Sequence, residues 1–127
     1  MEEVRVYHAF YGLPVLIEIP PETVTYLKEK QQDLSEHELF TMTLKQTRTY
    51  TVSIVLSKSR VFLDFSSNLR LKFFQRVEMS TLEEDEVCFT PQFLEYWHFF
   101  KDEVLKVMKP QDREKFESLA VLYEAVR

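Results

Sequence analysis

The chain has 127 residues, 45% of them hydrophobic and 14% aromatic, and carries a formal net charge of −5 at pH 7. A chain of this length can bury roughly two-thirds of its unfolded surface, so we expect one domain over residues 1–127 whose core needs neither metal nor disulfide. Its single glycine, Gly12, excludes the glycine-rich loops of common nucleotide-dependent enzymes, in which the backbone must approach phosphate closely.

The cysteine content and the hydropathy of the sequence indicate the cellular compartment of the protein. Cys88 is the one cysteine and cannot form an internal disulfide, which favours a reducing compartment. No apolar run approaches the length of a membrane span, and the acidic start Met1-Glu2-Glu3 differs from a signal peptide. We therefore expect an intracellular protein, cytoplasmic or nuclear, that does not associate with membranes.

The first third of the chain predicts two strands and a helix. Alternating residues predict a strand over residues 4–11, and the nearly continuous apolar run at 15–19 predicts a second strand. Gly12-Leu13-Pro14 separates these two strands. Pro21 suits the first turn of a helix, where its missing N–H is no loss, so we predict a helix over residues 21–33.

Residues 39–77 predict a four-stranded antiparallel meander, because four successive runs alternate with a period of two. Turns centred on Thr47, within residues 57–60 and at residues 66–68 keep all the apolar positions on one face. These turns place Leu44 opposite Tyr50 and Met42 opposite Val52. The predicted apolar positions are Phe40, Met42, Leu44, Tyr50, Val52, Ile54, Leu56, Val61, Leu63, Phe65, Leu69, Leu71 and Phe73.

The opposite face of this predicted sheet is basic and aromatic. Residues 39–77 contain seven basic residues and one acid, Asp64, so their local charge is +6 and the rest of the chain carries −11. The predicted register pairs Asp64 with Arg70 across strands and places cations beside Phe62 and Phe74. Such residues can also serve only to keep a sheet face solvated and its edges unpaired. The predicted partner-binding residues are Lys45, Arg60, Phe62, Arg70, Lys72, Phe74 and Arg76.

Two helices are predicted after an acidic connector at residues 81–86. Thr90 and Pro91 form a helix start, and aromatic residues at helical spacing continue the helix to Met108. We expect this helix to cover the apolar face of the meander. A last helix begins at Pro110 and is apolar over more than one side, so we predict a surface for self-association or a second partner at Val121, Leu122 and Val126. The predicted fold is thus an α+β domain of about six antiparallel strands packed by C-terminal helices.

No residue pattern indicates catalysis. His8, His37 and His98 lie on three different predicted elements, and none has a Cys or His at the spacing of a zinc site. Cys88 and His98 lie ten residues apart across a helix start, and no G-x-S-x-G motif exists. We therefore predict a protein that is not an enzyme and holds no metal or cofactor.

The basic and aromatic face favours an adaptor-type interaction module that docks an acidic surface of a protein partner. Binding of single-stranded nucleic acid by the same face is the alternative, because aromatic residues interleaved with basic ones are typical of sheets that stack bases. The overall negative charge disfavours nucleic-acid binding through bulk charge. Homodimerisation through the last helix stays open at this point.

Overall fold

The computed structural model describes residues 3–69 and 73–126, without the side chain of Phe100. Within these ranges it shows an α+β fold with seven strands in two sheets, which confirms the predicted class. None of the helices described is long and apolar enough to cross a membrane. The elements are β1 (Val4–Phe10), β2 (Leu13–Ile19), α1 (Pro21–Asp33), β3 (Phe40–Gln46), β4 (Tyr50–Leu56), β5 (Val61–Ser67), β6 (Phe74–Met79), β7 (Val87–Phe89), α2 (Pro91–Glu95), α3 (Trp97–Val107) and α4 (Pro110–Val126).

The chain divides into two compact units, and strand β2 passes from one to the other. The first unit comprises Met1–Val4 and Ile17–Glu86, and the second comprises Arg5–Leu16 and Val87–Arg127. The single domain predicted over residues 1–127 stays a prediction.

A three-stranded sheet has the order β2-β1-β7. β1 and β2 are joined by Tyr11 and Gly12, whose φ angles are 49° and 82°. Positive φ at both positions is the requirement of a type I′ turn, and it accounts for the one glycine of the chain. β7 pairs with β1 in parallel, with Cys88 opposite Val6. This strand was not predicted, since three residues are too few to show a period.

The meander has the predicted antiparallel order β3-β4-β5-β6. Its central hairpin also has the predicted register, with Leu56 opposite Val61 and Ile54 opposite Leu63. A tight turn, in which Ser57 donates its N–H to the carbonyl of Arg60 at 3.0 Å, holds the two strands in this alignment.

The register predicted for the last hairpin was wrong. Asp64 lies opposite Arg76, not Arg70, because β6 begins at Phe74 and the chain does not turn at residues 66–68. Apolar residues recur at every second position from Leu69 to Met79 except at Gln75, so a shift of six residues leaves the side chains of β6 on their predicted face. Periodicity alone therefore cannot choose between these two registers.

A β-bulge changes the first hairpin. Thr43 lies opposite Ser53, but Lys45 lies opposite Val52, so an extra residue is inserted between them. The predicted pairs of Leu44 with Tyr50 and Met42 with Val52 were wrong, because the turn is closed by a 2.8 Å hydrogen bond from Thr47 to Tyr50 and is not centred on Thr47, and the bulge then shifts the register by one residue. Because opposed residues share a face, the bulge moves Lys45 to the apolar side of the sheet. There its ammonium lies 5.8 Å from the ring centre of Tyr50.

Helix α1 has the predicted bounds and contacts the meander. Pro20 and Pro21 start it, and Val24 donates its N–H to the carbonyl of Pro20 at 3.0 Å. The ring of Tyr26 meets that of Phe40 edge-on at 6.1 Å, on the apolar side of β3. Near the end of the helix, the Gln31 amide donates to the carbonyl of Ser57 at 3.0 Å.

The C-terminal helices form a hydrophobic core with the three-stranded sheet. The aromatic helix was expected to pack on the apolar face of the meander instead. The predicted single helix over 91–108 is also interrupted at Tyr96, whose carbonyl accepts an i→i+3 bond from Phe99. The buried members of the core are Tyr7, Ala9, Phe93, Val104, Met108 and Phe116.

Candidate docking face on the four-stranded sheet

The register of the meander builds the outer face from cross-strand rows. One row crosses the sheet as Thr41, Val55, Phe62 and Glu78, and the next as Thr43, Ser53, Asp64 and Arg76. Ser66 and Phe74 belong to the row after these. Thr41 and Thr43 on β3 are exposed, Val55 on β4 is 3% exposed, Phe62 on β5 is half-buried and Phe74 on β6 is 60% exposed. The accessible part of this face that carries aromatic side chains therefore lies along β5 and β6.

Arg76 is the centre of the accessible part. Its Nε donates to Oδ1 of Asp64 at 2.7 Å and its Nη2 donates to Oδ2 at 2.9 Å. Its guanidinium carbon lies 5.4 Å from the ring centre of Phe62 and 5.9 Å from that of Phe74. The hydrogen bonds and the charge of Asp64 raise the pKa of Arg76 above its usual value, so Arg76 stays charged. We call Phe62, Asp64, Phe74 and Arg76 the arginine cluster.

The geometry of the arginine cluster leaves part of the guanidinium available. Asp64 uses Nε and Nη2, and none of the described residues accepts a hydrogen bond from Nη1. A planar guanidinium can bind a second carboxylate along its other edge. The cluster can thus receive an acidic group between two aromatic rings.

The structure brings together only some of the predicted binding residues. Phe62, Phe74 and Arg76 meet in the arginine cluster. Arg60 lies beyond the cluster, with its Nε 3.8 Å from Oε1 of Glu78. Lys45 is on the other face because of the bulge. Arg70 and Lys72 lie outside the described residues.

Glu78 changes the predicted charge of the face. The strand was predicted to end before this residue, but β6 continues to Met79 and places Glu78 opposite Phe62. The charged side chains that we can assign to the face and its end are then Arg60, Arg76, Asp64 and Glu78, which cancel. Among the described residues, Glu78 therefore offsets part of the positive charge that was predicted for this face, and Arg70 and Lys72 lie outside them.

The predicted self-association residues lie on the exposed surface of α4. Val121, Leu122 and Val126 are all exposed. Leu122 and Val126 share a helical stripe with Leu119, whereas Val121 is rotated about 100° from Leu122. The three predicted residues therefore do not form one continuous stripe, and their role in self-association stays a prediction.

A buried ionic network in the second unit was not predicted. Arg5 donates from Nε and Nη2 to the two carboxylate oxygens of Asp112 at 2.8 and 2.7 Å, and the Tyr7 hydroxyl donates to Oδ2 at 2.9 Å. Arg5 is 3% exposed and Asp112 is 0% exposed. No local pattern could have joined residues that lie more than a hundred positions apart.

The ionisation of this network follows from its contacts. Burial alone would raise the pKa of the Asp112 carboxyl, but hydrogen bonds from Arg5 and Tyr7 and the charge of Arg5 hold it below its usual value. Burial, and then the hydrogen bond to Asp112, raise the pKa of Tyr7 well above its usual value. The network is therefore a charged pair with a neutral phenol, and it ties the start of α4 to β1.

The residues considered for catalysis have separate neighbours. The His8 ring shares a hydrogen bond of 2.8 Å with the Thr90 hydroxyl, whose oxygen also accepts from the N–H of Phe93 and caps α2. Cys88 pairs with Val6 in the sheet, and Nε2 of His98 lies 3.7 Å from Glu124. These contacts fit structural roles.

Comparisons with protein-family models, curated proteins and solved structures found no match.

Proposed function

We propose that the protein is a non-enzymatic interaction module that docks an acidic segment of a partner protein on the arginine cluster. The observation that carries this proposal is the exposed Arg76 guanidinium held between the rings of Phe62 and Phe74. Binding energy at protein interfaces is concentrated in arginine and aromatic residues of this kind.

Preorganisation supports the proposal. Asp64 holds Arg76 in one orientation through two hydrogen bonds, so less side-chain entropy is lost when a ligand binds. The rings of Phe62 and Phe74 add cation–π contacts that favour the same position of the guanidinium. A partner would place its carboxylate on Nη1 and an apolar group on Phe74.

Glu78 adds selectivity to this proposed interaction. Its carboxylate lies on the same face, so a ligand that is acidic throughout would be repelled at this end of the sheet. The favoured ligand has an acidic residue at Arg76 and a neutral or basic residue near Glu78. We further infer that the partner is intracellular, as the single cysteine suggests.

Selection of peptides from a random library displayed on phage tests the proposal. We expect enrichment of Asp or Glu next to an aromatic or aliphatic residue. Arg76→Gln and Phe74→Ala should each weaken binding of the selected peptides at least about tenfold, the loss typical of interface hot spots. Matched controls are Arg48→Gln and Phe99→Ala, which change exposed residues of the same types elsewhere.

Two results would contradict the proposal. One is a set of selected peptides with no excess of acidic residues. The other is binding that survives Arg76→Gln and Phe74→Ala as well as it survives the two controls.

Binding of single-stranded nucleic acid is the second candidate, because the rings of Phe62 and Phe74 flank a cation and could stack with bases. Titration with a short oligothymidine at two salt concentrations separates the candidates. Phosphate contacts release counterions, so nucleic-acid affinity should fall steeply with salt, while peptide affinity should fall less.

A further inference from the structure

The two outer strands of the meander differ in their suitability for pairing with another strand. β3 carries the bulge between Thr43 and Lys45, and bulges and lysines are features that keep sheet edges from pairing. β6 is regular, with six consecutive residue pairs to β5 and no bulge. Of these two edges, β6 is the one whose geometry permits a further strand.

The backbone groups on the open side of β6 can be assigned. Ser67 donates its N–H to the carbonyl of Phe73 at 2.9 Å, so Phe73 turns its polar groups towards β5. In an antiparallel pair this direction alternates along the strand. Phe74, Arg76 and Glu78 therefore turn their N–H and C=O groups outwards, where no described strand pairs with them.

The charged side chains on this edge can form ion pairs with those on the same edge of a second copy of the chain. We propose that two copies of the chain pair through their β6 edges, antiparallel and about a two-fold axis, with Arg76 of each copy opposite Glu78 of the other. Each of these two opposed pairs would exchange two backbone hydrogen bonds and place a cation beside an anion on the outer face. The meanders would then join into one continuous sheet.

Charge selects this register over its neighbours. A two-fold axis through Arg76 would oppose two guanidinium groups. An axis through Gln75 would place Arg76 opposite Phe74 and Glu78 opposite position 72, which precedes the start of β6, so no ion pair would form within the two β6 strands. An axis through Val77 produces two ion pairs, and on the apolar face it places Val77 against its own copy. Both outward backbone groups and charges are therefore satisfied in one arrangement.

This inference goes beyond the proposed docking function, although both involve Arg76. Glu78 of a second copy would reach the Nη1 edge of Arg76 that an acidic ligand would use. Self-pairing and ligand binding should therefore compete. Loss of one does not imply loss of the other, because the side chains of Phe62 and Phe74 contribute to the docking surface but to neither ion pair of the proposed dimer.

Size-exclusion chromatography with light scattering tests the pairing over a range of protein concentrations up to about 1 mM, where a contact with micromolar Kd is fully populated. We expect the mass to rise from 15.3 kDa for one chain to twice that value. Glu78→Lys should return the mass to that of one chain, since the substituted ammonium would face the Arg76 guanidinium of the other copy. Glu36→Lys makes the same charge change on an exposed turn and should leave the pairing unchanged.

Mixing two variants provides a rescue experiment. Asp64→Asn/Arg76→Glu places a carboxylate opposite Glu78 and should be a single chain, with Asp64→Asn removing repulsion within the chain. Mixed with Glu78→Lys, it should form a heterodimer, because one opposed pair then joins the two substituted side chains and the other joins the native Arg76 and Glu78, each with opposite charges. Circular dichroism checks that each variant is folded. If the double variant is not folded, the comparison of Glu78→Lys with Glu36→Lys still tests the pairing.

A single-chain mass at every concentration would overturn the pairing. A dimer that persists in Glu78→Lys would also overturn it and would point to another surface, such as α4. Glu78→Lys is expected to keep or increase the affinity for acidic peptides, so this result distinguishes failure of the pairing from failure of the docking proposal.

Discussion

Replacing Asp112 with Ala is expected to lower the free energy of unfolding by about 3–5 kcal/mol, because the charged and buried Arg5 guanidinium loses the carboxylate that accepts its two hydrogen bonds. The loss includes the hydrogen bond from Tyr7. Urea denaturation at neutral pH, followed by circular dichroism, measures the change. The matched control is Asp102→Ala, which removes an exposed carboxylate from α3 and should cost less than about 0.5 kcal/mol.

Two further measurements sharpen this test. Arg5→Met/Asp112→Leu should be more stable than Asp112→Ala, since both members of the buried ion pair are then replaced by apolar side chains. The pKa of Asp112 is below its usual value in the folded chain, so its contribution is present above the pKa of the unfolded carboxyl, about 4. This contribution is lost as the pH falls through the lower folded-state pKa. A cost for Asp112→Ala no larger than that of Asp102→Ala would contradict the role assigned to the network.

Phe116→Ala is expected to cost about 3–5 kcal/mol of unfolding free energy. The Phe116 ring is almost fully buried, with its centre 3.9 Å from that of Trp97 and 5.2 Å from that of Phe89. Truncation would leave a cavity at the centre of the aromatic core. Phe99→Ala is the control, because Phe99 is 82% exposed and should cost less than about 0.5 kcal/mol.

Urea denaturation of the two variants side by side measures this difference. Similar costs for Phe116→Ala and Phe99→Ala would mean that the C-terminal helices do not pack around Phe116. Near-ultraviolet circular dichroism provides a second readout, because loss of the Phe116 contact should alter the environment of Trp97.

Elements with local determinants could be predicted from the sequence. Helix α1 matches its predicted bounds because Pro21 determines its start and the extended backbone of Leu34 follows its end. The hairpin of β4 and β5 matches because its turn is short. Alternation could not determine the register of β6, since an even shift preserves the faces. The bulge before Lys45 has no signature in the alternation.

The candidate site could likewise be predicted only in part from the sequence. Phe62, Phe74 and Arg76 were predicted on one face and do lie together, because the register error was even. The predicted cross-strand partner of Asp64, Arg70, was wrong because the register of β6 is shifted by six residues. The face on which Lys45 lies could not be predicted without knowing of the bulge. The contribution of Glu78 could not be predicted without knowing that β6 extends to Met79. The Arg5–Asp112 pair depends on tertiary packing, which no local pattern encodes.

Mapping of amide NMR shifts during titration with a selected acidic peptide tests the docking proposal most directly. We predict that the largest changes occur at Phe62, Asp64, Phe74 and Arg76, and that they disappear in Arg76→Gln. Changes concentrated on α4, around Leu119 and Leu122, with the sheet unaffected, would contradict docking at the arginine cluster.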